Sequence, residues 1–189
     1  MGFLDILTGR RKLAQPAEDR LFAITTAYVT FETGLEITTR GSAAIVFQSL
    51  ATADFTTIVR DMEEVVRATA SDSATTVEKS ADSYGYSWLI LRGSDFDDLV
   101  VGINAVSGAL QGGGYGDRLL CSVFAFQDAQ QKALYWIYNY KRGFFYPFVP
   151  SGSQQRDNER ELVLKAQAAN ELPIEPELSR WFPLWGIPV

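Results

Sequence analysis

The sequence predicts an α+β protein with an antiparallel or mixed sheet, and three observations carry that prediction. Residues 54–69 and 95–111 repeat apolar side chains at three- and four-residue steps, the period of a helix that buries one face. Residues 43–48, 86–92, 119–126 and 133–140 are short runs dense in β-branched and aromatic residues, which suit strands. The order from Ala43 to Tyr140 is then β-α-β-β-α-β-β. Two right-handed βαβ crossovers joined by a hairpin give a ferredoxin-like split βαβ core. A secretion-chaperone-like α+β fold uses the same elements.

Taken in order, residues 1–16 read as a separate docking segment ahead of a single domain over 17–189. Phe3, Leu4, Ile6 and Leu7 precede Arg10, Arg11 and Lys12, and Pro16 closes the segment. A short helix or a frayed end is the plain reading. An interfacial anchor at residues 1–12 is the sharper one. The Met-Gly start does not fit myristoylation, because Ile6 stands where that motif requires Ser or Thr. Residues 17–23 suit a short helix. Residues 25–32 (TTAYVTFE) read as a strand, paired with 36–39 after a turn at Gly34, and Gly41 breaks the chain before the strand at 43–48.

The first long helix carries Phe55, Ile58, Val59, Met62, Val65, Val66 and Thr69 on one stripe, with Asp54 as its N-cap. A polar break at 71–73 follows. Residues 75–81 (TTVEKSA) form a strand whose Glu78 and Lys79 suit a sheet edge, where charge discourages pairing with another chain. A turn at 82–85 leads to the apolar strand 86–92. The second helix buries Phe96, Leu99, Val100, Ile103, Val106 and Leu110. Ser94 or Asp95 caps it, and Gly112, Gly113 and Gly114 stop it. The polar link QDAQQK joins the hairpin strands 119–126 and 133–140. After Pro150 comes a charged helix at 157–171. The closing residues 172–189 contain four prolines, which exclude a regular helix or central strand and imply an extended strap.

Composition narrows the function. The chain has 189 residues, a net charge of -6, one cysteine and no histidine. An acidic chain lacks the clustered Lys and Arg that nucleic-acid phosphates require. Without histidine the commonest general base and metal ligand are missing. The single Cys121 admits no internal disulfide and fits a reducing compartment. No run approaches the ~20 apolar residues that span a bilayer. A cytoplasmic protein with no cofactor is expected.

Candidate chemistry is sparse. The run LQGGGYGD at 110–117 ends a helix and lacks the Lys-Ser/Thr of a phosphate loop. Cys121 lies within an apolar strand, as an inert buried thiol does. Glu63 with Glu64, and Asp97 with Asp98, are sequence neighbours on helices and point in different directions. The unusual stretch is KRGFFYPF at 141–148. It is either a turn at Gly143 followed by core rings, or a docking surface of Lys141, Arg142, Phe145, Tyr146 and Phe148, the residue types of protein–protein hot spots. The same alternatives apply to Arg180, Trp181, Phe182 and Trp185. Arg156, Asp157 and Asn158 either cap the last helix or contact the Lys141-Arg142 turn.

With these motifs in view, the chain resembles the PspA-associated protein PspAB family. The resemblance runs nearly end to end: MGFLD with a following Gly-Arg, YGYSW at 84–88, LCS at 120–122, YKRG at 140–143 leading to FYPF at 145–148, RDN at 156–158, LPIEP at 172–176 and RWFP at 180–183. It implies an accessory partner of phage-shock-protein A, a membrane-binding coiled-coil protein of envelope stress, in the company of an HtpX-type membrane protease. It transfers no catalytic residue. The expected function is therefore a non-enzymatic adaptor that binds a PspA-like protein or the protease through the aromatic turn and C-terminal rings, at or near the inner face of the membrane. The alternative is a small-molecule-binding regulatory domain with a pocket near Tyr84, Tyr86 and Tyr115. Direct lipid contact by residues 1–12 is a third possibility.

Overall fold

The computed structural model describes residues 20–70, 75–82 and 84–189, with the backbone alone for 67–70. The expected docking segment at 1–16 and the polar break at 71–73 lie outside the described residues. In chain order the elements are α1 (Ala23–Leu35), β1 (Thr38–Gln48), α2 (Ala53–Ala70), β2 (Thr76–Ala81), β3 (Tyr86–Arg92), α3 (Phe96–Gly112), β4 (Leu119–Gln127), β5 (Ala133–Asn139), β6 (Phe144–Phe148), β7 (Pro150–Gly152), β8 (Gln155–Arg156) and α4 (Asn158–Ala168). Six strands form one sheet in the order β2-β3-β1-β4-β5-β6. Every neighbouring pair is antiparallel. β2 is at one margin, with Glu78 and Lys79 exposed, as its composition predicts.

The pleat sorts side chains into two cores. On one face Ile45, Phe47, Leu89, Leu91, Phe124, Phe126, Trp136 and Tyr138 pack against the helices. On the other, Val46, Trp88, Ile90, Val123, Tyr135, Ile137, Tyr146 and Phe148 pack against Trp181, Leu184 and Trp185 of the C-terminal strap. The central strands are therefore buried on both sides, which explains why their sequences are apolar runs rather than alternations.

One expected strand is a helix. Residues 25–32 alternate in hydrophobicity, yet α1 spans Ala23–Leu35. Its buried residues are Ile24, Ala27 and Phe31, at three- and four-residue spacing, while Val29 faces solvent with 61% of its surface exposed. Phe31 stacks on Trp136 at 5.4 Å between ring centroids, and that contact overrides the β-branched content of TTAYVTFE. Gly41 does not end a strand either. β1 runs through it with a register shift between Thr39 and Ser42. Its φ is +66°, and a Cβ there would lie 2.8 Å from the Gly93 carbonyl, so this is a glycine bulge. Thr52, not Asp54, caps α2, its hydroxyl accepting from the Phe55 amide at 3.4 Å. Asp95 caps α3 by accepting from the Asp97 and Asp98 amides. The aromatic turn contributes an unforeseen strand, β6, which pairs with β5 and holds Pro147.

The helical assignment of α1 is testable because a strand would put Val29 and Phe31 on one face. Phe31→Ala should destabilise the protein by about 3–5 kcal/mol in a urea titration. Val29→Ala should change it by less than about 0.5 kcal/mol. Equal losses would favour the strand.

Candidate functional site

After α4 the chain returns along the free side of β6. The Phe145 amide donates to the Pro173 carbonyl and the Glu175 amide to the Phe145 carbonyl, both at 2.8 Å. The strap then crosses the face opposite the helices. It has one short 3-10 turn, Leu178–Arg180, and is otherwise irregular, so side chains must hold it.

Two arginines do most of that. Arg142 donates to both oxygens of Glu175, at 2.9 and 3.1 Å. Burial alone would push the Glu175 carboxyl up. The hydrogen bonds from Arg142 and from the Glu177 amide overcome it, and the group sits below its ordinary value. Arg156 reaches further. Its Nε donates to Glu161 at 2.9 Å, its Nη2 lies 2.8 Å from the same carboxylate as an ion pair without hydrogen-bond geometry, its Nη1 donates to the Trp181 carbonyl at 2.6 Å, and its guanidinium lies 5.5 Å from the Phe148 ring centroid. Glu161 is 2% exposed and also accepts from the Val149 amide. The Trp181 indole N–H donates to the Glu175 carbonyl at 3.1 Å, and the Tyr146 hydroxyl to the Phe182 carbonyl at 3.0 Å.

The fastened strap leaves a recess of about 430 Å³ at one end of the face. It is lined by Val46, Leu120 and Cys121 of the central strands β1 and β4 together with Tyr86, Trp88, Tyr146, Leu184 and Trp185. Tyr84 and Phe182 stand at its mouth, 72% and 57% exposed, beside Lys141. Asp82 also lines it. Its carboxylate accepts from the Tyr84 and Tyr86 amides at 2.9 and 3.0 Å and from the Trp88 indole at 3.0 Å. Burial pushes this carboxyl up, but these donors outweigh burial and hold it below its ordinary value. The Cys121 thiol is pushed up to about 12 by burial, so it is no nucleophile at neutral pH. Among the described residues, no group of three or more Cys, Asp or Glu side chains is placed to hold a metal ion.

The expected site residues divide. Phe145, Tyr146 and Phe148 are buried, so of the two readings of KRGFFYPF these rings follow the one of a turn leading into core rings. Phe145 packs in the helix-side core against Tyr138, and Gly143 is a buried turn residue with φ +68°. Asp157 caps α4 through the Arg160 amide, and Asn158 is that helix's exposed first residue. Among the described residues, no hydrogen bond or ion pair joins them or Arg156 to the Lys141-Arg142 turn, whose polar partners are Asn139 and Glu175. Lys141, Tyr146, Phe182 and Trp185 do meet, in the recess. Tyr84 and Tyr86 line it as the small-molecule alternative expected. Tyr115 does not; it packs edge-on against Phe55 on the helix side. Asp82 carries no expected site role, and Trp88 and Leu120 stand only within the family motifs YGYSW and LCS. The two-residue spacing of Tyr86 and Trp88, which places them on one face of the strand 86–92, was the available signal; Asp82 and Tyr84 belong to the turn before it.

The family model for PspA associated protein B matches residues 1–189. The chain belongs to the PspAB family. No curated protein and no solved structure matches it. Four of the motifs that carry the resemblance, distant in sequence, are joined in space. Arg142 of YKRG is paired with Glu175 of LPIEP, and Arg156 of RDN holds Trp181 of RWFP.

Arg156→Ala would strand the buried Glu161 carboxylate and should cost about 3–5 kcal/mol in chemical denaturation. Glu161→Gln in that background should recover part of the loss, and no recovery would show that the charge is not the cause. Asp82 has a lowered folded pKa, so its contribution is present above the unfolded value of 3.8 and disappears as pH falls through the lower folded value. Stability of the wild type should therefore fall more steeply on acidification than that of Asp82→Asn, and parallel profiles would contradict the assignment.

Proposed function

We propose that this protein is a non-enzymatic accessory protein of a PspA-type membrane-stress system and that it binds a protein partner through the strap-face recess. Membership of the PspA-associated family supports the association with PspA. The observation that carries the site is the pair of exposed rings, Tyr84 and Phe182, beside Lys141 at the mouth of an aromatic recess on a rigid sheet. Large rings with a cationic neighbour dominate protein–protein hot spots, and such rings at a recess mark a surface meant to be covered. The first partner is a PspA-like coiled-coil protein; an HtpX-type protease is the second. No helix among the described residues is long and apolar enough to cross a membrane. Peripheral membrane contact through residues 1–12 falls outside the described residues.

A second reading has one observation behind it. A recess of about 430 Å³ falls in the range of small-molecule pockets, ~300–1,000 Å³. A saturable rise in melting temperature with a nucleotide or metabolite would support a ligand-binding regulatory domain. Against it, a pocket for a small ligand covers most of that ligand, and this recess is flanked by two rings that are more than half exposed.

The proposal is tested by binding of the purified PspA-like partner. Tyr84→Ala with Phe182→Ala, both at exposed positions, should keep the unfolding midpoint and weaken binding by tenfold or more, since a hot-spot side chain contributes about 2 kcal/mol or more. Unchanged affinity of the double variant would refute the site, and no binding by the wild type would refute the function.

A further inference from the structure

Resting on that reading of the recess, we propose that the partner segment it takes is acidic as well as apolar. A large aliphatic or aromatic side chain seats on Leu120 and Trp88, and a neighbouring carboxylate pairs with Lys141.

The charges around the recess lead to this. Its lining contains two ionisable side chains that are charged at neutral pH, Asp82 and Lys141. The Asp82 carboxylate is committed to three donors of its own chain. Lys141 is exposed and makes no ion pair among the described residues. The adjacent cation, Arg142, is taken up by Glu175. The Asp82 donors are neutral N–H groups that occupy its oxygens without cancelling their charge; the charged group still free to pair is the Lys141 ammonium, and it complements a carboxylate. Apart from the Asn139 amide, whose oxygen accepts from the Lys141 amide at 3.0 Å, the lining is mostly rings and aliphatic groups, which bury an apolar side chain and disfavour a second charge.

The acidity of the whole chain sharpens this preference. With a net charge of -6, the surface repels an acidic segment in general and admits it where an unpaired cation faces it. An arrangement of that kind selects one docking site through the repulsion around it. A basic segment would be attracted to many places on the same surface and would gain nothing particular at Lys141. The exposed mouth suits a segment presented by a larger molecule, whose flanking residues cover Tyr84 and Phe182.

The test uses the full, isotope-labelled chain and two synthetic peptides. One has a central Asp-Leu-Phe-Glu in a Gly-Ser background; the other has both acids replaced by lysine. The acidic peptide should shift the amides of Tyr86, Trp88, Leu120 and Trp185 in amide-correlation spectra. Lys141→Ala should weaken it about two- to fivefold, the range of a rim ion pair. Lys141→Glu should abolish that preference and favour the lysine peptide, with an unchanged unfolding midpoint. Equal affinity of the wild type for both peptides would overturn the inference, as would indifference to Lys141→Glu or shifts produced by decanoate and by neither peptide. Failure here is distinguishable from failure of the function. A PspA-like protein whose binding needs Tyr84 and Phe182 but ignores Lys141→Glu leaves the partner site standing and removes its acidic specificity.

Discussion

Arg156 sits between a buried carboxylate and the strap, and both depend on it. Glu161 is almost wholly withdrawn from water, a position in which a carboxylate is tolerated beside a cation and costly without one. The same guanidinium that neutralises Glu161 also donates to the Trp181 carbonyl and lies against Phe148. Helix α4, strand β6 and the strap are thus tied at one side chain. A lysine could supply the charge but not the fork that reaches the carboxylate and the carbonyl together.

The strap needs such ties because its sequence denies it the usual ones. Four prolines remove backbone donors and preclude a ladder across the sheet. Its remaining polar groups find partners one by one. Ile174 bridges Phe145, the Tyr146 hydroxyl reaches the Phe182 carbonyl, and Arg92 donates to the Pro188 carbonyl at 2.9 Å. The apolar side chains between these points cover part of the strap face and leave its end open at Trp88, Leu120 and Lys141. The recess is a consequence of where the strap is fastened. Asp82 supports it from the opposite side, by fixing the turn that carries Tyr84 and the indole that forms a wall.

Much of the sheet was legible because strands buried on two faces produce dense apolar runs, and α2 and α3 because their stripes repeat with helical period. The helix α1 was not. Thr25, Ala27, Val29 and Phe31 alternate as a strand does, and the stack of Phe31 on Trp136 that decides the matter joins positions over a hundred residues apart. Gly41 looked like a break because a bulge and a turn both call for glycine. The site was only half visible. Lys141, Phe182 and Trp185 stood out by residue type, but local sequence does not reveal that Phe145, Tyr146 and Phe148 point inward. Nor does it show that Arg142 and Arg156 are spent on Glu175 and Glu161, since each partner comes from a separate segment. Several of the residues in the family motifs, Arg142, Arg156 and Trp181 among them, have the task of fastening the strap.

Native-state hydrogen exchange tests most directly whether the strap is an integral part of the domain. The Glu175 amide and the Trp181 indole N–H, bonded to Phe145 and Glu175 carbonyls, should exchange as slowly as the Tyr146 amide of β6, which faces β5 and not the strap, and open with it in one cooperative unit. Strap protons that exchange much faster, while β6 stays protected, would mean that the strap detaches on its own and that the recess it borders is not a fixed feature of the fold.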